Sequence, residues 1–229
     1  MNIIEISSEC SGIAQRGGLG GVIWGISDAF RKGGHRVTII MPYYAEIHHD
    51  VHLYTTITCF YGGEEFPVSV FETTHFGIRI FLIHNDRFFR GEYSDVYIDS
   101  GKLHRGYFED DAKRFAFFSI AACRLLLHLQ HNEQIDAIHC HDWHTGLIPL
   151  LIKIHPAFYT LHDIYRLASE EFLKVRRIPP LNFESEVRQT LQSFCSSSKR
   201  FSGRASLFNS HGPGRWSCKY ERSDLLALL

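Results

Sequence analysis

A run of glycines, Gly17-Gly18-Leu19-Gly20-Gly21, stands between a strand-like stretch and a helix-like stretch. This placement narrows the possible folds more than any other feature of the chain. Residues 2–7, Asn-Ile-Ile-Glu-Ile-Ser, read as a buried first strand. Val22, Ile23, Ile26, Ala29 and Phe30 then recur at helical spacing, and Gly33-Gly34 supplies a C-terminal stop. His35 to Met41 is a second β-rich run closed by Pro42. Strand, glycine turn, helix and strand make a βαβ unit, whose crossover is right-handed. Glycines let a backbone approach a ligand closely, and the helix start behind them offers free N–H groups and a positive dipole end. Taken alone, the turn fits tight packing and a cradle for an anionic oxygen group equally well. It is neither a P-loop nor the dinucleotide fingerprint.

The rest of the chain extends the pattern. Three β-rich runs, His52–Phe60, Phe66–Thr74 and Ile78–Ile83, separated by short turns, predict an antiparallel insertion or edge. Residues 85–109 read as a long loop. A helix is expected at about 110–130, carried by Phe115, Phe118, Ala122, Leu125, Leu126 and Leu129. A strand (Ala137–Cys140), a loop, a helix at about 144–154 and another strand (Phe158–Leu161) follow. The expectation is an α/β fold, a doubly wound Rossmann-like parallel sheet with a β-rich insertion. It occupies residues 1–167, with a divergent or poorly ordered segment at 168–229.

Composition excludes some classes. The 229 residues carry a net charge of −1, so no basic surplus points to nucleic acid. No unbroken apolar stretch reaches the length of a membrane span, and no basic leader opens the chain. The 6 cysteines are scattered without a CxxC pair and read as reduced thiols, which makes the cytoplasm the expected location. Aromatic residues form 14% of the chain, most of them expected in the core.

Two polar clusters stand at expected strand ends, where open α/β sheets bind ligands. The first is His139-Cys140-His141-Asp142-Trp143-His144. Its groups suit sugar hydroxyls or a developing charge. Zinc is the competing reading, but the spacing is too compressed for a standard structural motif and no further Cys/His group lies in sequence to complete one. One or two of these histidines fit a capping or packing role equally, and Trp143 reads as packing. The second cluster is Leu161-His162-Asp163, which also suits an ordinary turn. A small hydrolase is a third reading of the chain, weakened because no Gly-x-Ser-x-Gly elbow is present.

Ser8-Glu9-Cys10, Gly17-Gly18-Leu19-Gly20, His139-Cys140-His141-Asp142-Trp143-His144 and Tyr159-Thr160-Leu161-His162, in that order, resemble bacterial glycogen synthases and plant starch synthases. Asn85-Asp86-Arg87-Phe88-Phe89-Arg90-Gly91 is similar to the family's aspartate/arginine/aromatic loop, and Asp110 with Arg114-Phe115-Ala116 to its D-N-x-x-R-F-A helix start. The resemblance implies the N-terminal half of a two-Rossmann-domain glycosyltransferase. Such enzymes move glucose from ADP-glucose to the non-reducing end of an α-1,4-glucan with retention, without cofactor or metal. It implies that His144, with Asp142 and His141, forms the catalytic group. Gln15, Gly17 and Gly18 would lie on the nucleotide-sugar phosphates, and Glu9, Asp110 and His162 would line the acceptor or donor cleft. ADP-glucose and α-glucan are the implied partners, with a further chain as a possible carrier of the second domain, since nothing after residue 167 looks like that domain.

Departures from the family accompany the match. Its Lys-x-Gly-Gly-Leu motif has Gln15 in the lysine position, with Arg16 beside it; the Asp that commonly follows the glycines is Gly21; and the Asn after Asp110 is Asp111. A neutral amide hydrogen-bonds phosphate but brings no charge to it. The alternative to an active transferase is a truncated remnant that binds glucan through the acceptor side without transferring glucose.

Overall fold

The computed structural model describes residues 1–89, 95–98, 107–162 and 164, with the side chains of 107–110 set aside. The expected segment 168–229 and Asp163 lie outside the described residues, as does the side chain of Asp110. The elements are β1 (Asn2–Ile6), α1 (Gly18–Lys32), β2 (Arg36–Pro42), β3 (His52–Tyr61), β4 (Glu64–His75), β5 (Ile78–His84), α2 (Tyr107–Gln130), β6 (Ala137–Cys140) and α3 (Leu147–Ile154). Short 3-10 helices cover Trp143–Thr145 and Pro156–Leu161.

One six-stranded sheet runs in the order β3-β4-β5-β2-β1-β6. β5, β2, β1 and β6 are mutually parallel. β3 and β4 add an antiparallel extension beyond β5, so the three-run insertion expected from the sequence is two strands: β5 pairs in parallel with β2 and belongs to the parallel part of the sheet. β1 is buried at every position, as a central strand covered on both faces must be. From β1 the chain crosses through α1 to β2 on one side. From β5 it crosses through α2 to β6 on the other. The right-handed rule for such crossovers puts the two helices on opposite faces. The start of β1 is tied to the turn before β6: the Asn2 amide donates to Asp136 at 2.6 Å, and the Asn2 side chain donates to the Gln134 carbonyl at 2.6 Å.

The helix periods hold with one shift. α1 buries Gly20, Ile23 and Ser27, while Val22 faces solvent. α2 buries all six positions expected of it, together with Phe117, Ile120, Ala121 and Cys123. Much of the aromatic content is core: the Phe88 and Phe117 rings stack at 4.0 Å, with Phe66 and Tyr61 edge-on to both. The described cysteines, Cys10, Cys59, Cys123 and Cys140, are free thiols. No helix among the described residues is long and apolar enough to cross a membrane.

The expected strand Phe158–Leu161 is instead part of the 3-10 helix Pro156–Leu161. Pro156 stands in its first turn, and His155 Nδ1 accepts from the Ala157 amide at 3.2 Å, capping it. Phe158 and Leu161, three apart, are buried while Tyr159 is exposed, a period of three rather than two. His162 therefore follows a helix and does not stand at the end of a sheet strand.

The glycines of the turn divide into two kinds. A Cβ on Gly20 would lie 2.9 Å from Gln15 Cγ and 3.1 Å from the Ser11 amide nitrogen, whereas Gly18 and Gly21 face open space. Gly20→Ala is therefore expected to destabilise the fold by about 1–2 kcal/mol through overpacking. Gly21→Ala is expected to stabilise it by about 0.5–1 kcal/mol through helix propensity. Opposite shifts of the urea midpoint test the pair; equal shifts would remove the packing role of Gly20.

Candidate functional site

The chain reverses its direction across the sheet at β1, where the β1–α1–β2 and β5–α2–β6 crossovers diverge. The crevice beyond the carboxyl ends of the strands at such a switch point is the usual binding place in open α/β sheets. Glu9 follows β1 and His144 follows β6, so both come to this crevice from opposite sides.

Glu9 is buried and organises the glycine turn. Its Oε2 accepts from the amides of Arg16 and Gly17, each at 2.8 Å. Its Oε1 accepts from the Tyr97 hydroxyl at 2.9 Å, and the Tyr97 oxygen lies 3.1 Å from His144 Nε2. Tyr97 has a single hydroxyl hydrogen. Given to Glu9, it leaves the phenol oxygen as an acceptor, so the network assigns the hydrogen of His144 to Nε2. His144 Nδ1 then carries a lone pair, buried and without a hydrogen-bond partner.

His144 is 2% exposed, set among the rings of Phe115, Tyr97 and Trp143. Burial pulls its pKa down to about 3, so the ring is neutral at ordinary pH. It acts as a polar contact rather than as a cation. Trp143 packs on the rings of His144 and Phe115, the packing role expected of it.

The segment carrying His144 is fixed by its own backbone. Thr145 Oγ1 donates to the His141 carbonyl at 2.9 Å, and Ser119 Oγ to the His144 carbonyl at 3.3 Å. Asp142 adopts φ 62°, ψ −177°, a conformation suited to glycine, at a cost of roughly 1–3 kcal/mol. Its Oδ1 accepts from the Trp143 amide at 2.6 Å and caps the turn that presents His144.

His141 belongs to a second group. It bonds Glu5 Oε2 at 2.5 Å, and His139 Nδ1 lies 3.0 Å from the same oxygen. Burial alone would raise the Glu5 carboxyl; the hydrogen bonds from His139 and His141 outweigh it and hold the group below the usual carboxylate range. The bond to Glu5 raises His139 in return.

The predicted phosphate residues are placed differently from one another. Gln15 folds back, its Nε2 donating to the Gly17 carbonyl at 2.7 Å. The Gly17 amide is already taken by Glu9. Gly18 opens α1 with clear space above it, and no side chain caps that helix end. Arg16 is held by ion pairs to Glu46 and, at 3.9 Å, Asp95, so its guanidinium is engaged by carboxylates.

Sequence reasoning passed over Tyr97, Asp111, Arg114 and Glu5 as functional residues. Arg114 and Asp111 form a buried ion pair at 2.7 Å, and Arg114 donates to the carbonyls of Phe88 (2.9 Å) and Asp95 (2.7 Å). Asp111 accepts from the Ile98 amide. The pair thus grips the loop on both sides of Tyr97. The signal for Glu5 was a lone charge inside the apolar run Ile3-Ile4-Glu5-Ile6.

Comparison with known proteins agrees with the fold. The family model for the starch synthase catalytic domain matches residues 2–194. The glycogen synthase of a Hydrogenobaculum species is 37% identical over 149 residues, covering 65% of this chain and 29% of that protein. The probable glycogen synthase 2 of a Synechocystis species is 36% identical over 76% of this chain and 33% of its own length. Among solved structures, the catalytic domain of Starch Synthase IV from Arabidopsis thaliana, bound to ADP and acarbose, superposes with a TM-score of 0.60 at 30% identity, over 71% of this chain and 32% of that one. The chain spans about a third of the length of the curated relatives it matches. Sheet order and family match coincide, and the chain belongs to the starch synthase catalytic domain family.

Proposed function

We propose that this chain forms the glucose- and glucan-facing side of a glucosyltransferase that transfers glucose from ADP-glucose to the non-reducing end of an α-1,4-glucan with retention. The observation that carries the reading is the unpartnered acceptor Nδ1 of His144 at the switch point. A buried lone pair without a donor is costly, and a sugar hydroxyl supplies the missing hydrogen. Glu9, through Tyr97, fixes which nitrogen of His144 accepts and so orients the glucose. The open start of α1 at Gly18 suits the diphosphate. The Arabidopsis relative is bound to ADP and acarbose, which supports a nucleotide sugar and a glucan as the ligands.

Calorimetric titration of the chain with ADP-glucose and with maltoheptaose tests this. His144→Phe keeps the ring volume and removes the acceptor, and is expected to weaken glucose-dependent binding about ten-fold. Gln15→Lys adds a cation at the turn and is expected to tighten ADP-glucose several-fold through a charge-assisted bond. No binding of either ligand, or affinities indifferent to His144→Phe, would overturn the proposal.

A further inference from the structure

The strands β1 and β6 bring together three side chains that the sequence keeps far apart. Parallel pairing sets Glu5 opposite His139, and His141, two residues on, lies on the same side. We propose that Glu5, His139 and His141 form a site for a divalent transition cation of the zinc class. Their ligand atoms, Glu5 Oε2, His139 Nδ1 and His141 Nε2, all lie within 4.8 Å of one another. The sequence expectation of no metal rested on the compressed spacing of the His139–His144 cluster, on the lack of a further Cys/His group to complete a motif, and on the family resemblance; here a carboxylate from the neighbouring strand joins two of the histidines.

A second observation points the same way. Glu5 is fully buried, yet its Oε1 has no hydrogen-bond partner, so half of a buried carboxylate is unsatisfied. A cation held by both carboxylate oxygens of Glu5 would satisfy Oε1 without a donor. The ligand set selects the metal: two imidazoles and one carboxylate suit zinc, copper or nickel, whereas magnesium and calcium prefer oxygen alone. Tetrahedral zinc at about 2.0–2.1 Å from each ligand sets the ligand atoms roughly 3.3 Å apart. His139 is already near that spacing from Glu5, and His141 needs to move by under about 1 Å. Each ring must turn a bare nitrogen to the metal: a neutral ring shifts its hydrogen to the other ring nitrogen, and a protonated ring releases one proton to solvent. The His139 side chain is 49% exposed and gives the ion an entry path and a fourth position for water.

The consequence is mechanical. β6 has only four residues and, among the described residues, pairs with β1 alone. A cation spanning Glu5 and both histidines would staple this strand, and the His144 segment after it, to the sheet centre. This inference does not depend on the glucosyltransferase reading.

The test is equilibrium dialysis of the chelator-stripped chain against zinc chloride, with the melting temperature followed in parallel. One zinc per chain and a raised melting temperature are expected. His139→Ala removes a half-exposed ligand that plays no part in the His144 network; it is expected to weaken uptake at least ten-fold and abolish the thermal shift. Glu5→Gln, a near-isosteric change, is expected to do the same. Absence of zinc uptake by the unaltered chain overturns the proposal. So does uptake that survives both substitutions, which would place the metal elsewhere.

Discussion

Replacement of Arg114 by Met is expected to cost the fold about 3–5 kcal/mol, the range for breaking one side of a buried ion pair. Arg114 and Asp111 are each 1% exposed in their side chains. Removing the guanidinium takes the counter-charge from a buried carboxylate and the donors from the Phe88 and Asp95 carbonyls. A fall in the urea midpoint measures the loss. The paired change Asp111→Leu/Arg114→Met is expected to recover much of it, because the burden is the uncompensated charge rather than the missing attraction. A single-variant loss below about 1 kcal/mol would show that water reaches Asp111 and that the pair is not buried in solution. Because both residues grip the loop around Tyr97, binding that depends on His144 is expected to weaken in the single variant as well.

Acid is the second strong lever. His144 ionises near 3 in the folded chain, against an ordinary value of 6.5. Between these limits the unfolded chain takes up a proton that the folded chain refuses. Stability contributed by neutral His144 is complete above pH 6.5 and falls as the solution is acidified towards pH 3, by up to about 1.4 kcal/mol per pH unit. His139 acts in the opposite sense: raised by its bond to Glu5, it stabilises below the ordinary value and loses that contribution as pH rises through its folded pKa. Comparing His144→Phe with the unaltered chain by urea unfolding at pH 7, 6, 5 and 4.5 isolates the first effect. The variant is expected to show a flatter acid limb; parallel limbs would mean that His144 is protonated and solvated in the folded state.

The elements that the sequence revealed are those with strong local patterns. β1, α1, β2, β3, β4, β5 and α2 stand where the sequence placed them: burial on both faces writes a continuous apolar run in β1 and β2, and burial on one face writes a period of 3.6 in the helices. The stretch from 156 to 161 was misread because Phe158, Tyr159 and Leu161 are apolar or aromatic at once, and a short apolar run does not reveal its period without its partners. Its actual structure follows from a cap and a proline, His155 and Pro156. Within the site, Glu9 and His144 were legible as motif residues. Arg114 was legible as part of the helix-start motif, but its grip on the Phe88 and Asp95 carbonyls was not, nor was the role of Tyr97, because these contacts join residues far apart in sequence. Nor was the fold-back of Gln15 onto the Gly17 carbonyl visible before the turn had a shape.

The order of strands also bears on how the chain is made. β1 finds β2 as soon as residue 40 has emerged, but its other edge waits for β6, whose approach is tied by Asn2 and Asp136, 134 positions apart. At ribosomal speeds of about 5–20 residues per second, that edge stays uncovered for on the order of ten seconds. During this interval Ile3, Ile4 and Ile6 present an apolar strand with free backbone groups, the kind of surface on which chains aggregate. Glu5 is the one charge in the run, placed at its middle. A charge at that place disfavours pairing with neighbouring copies until β6 brings His139 beside it.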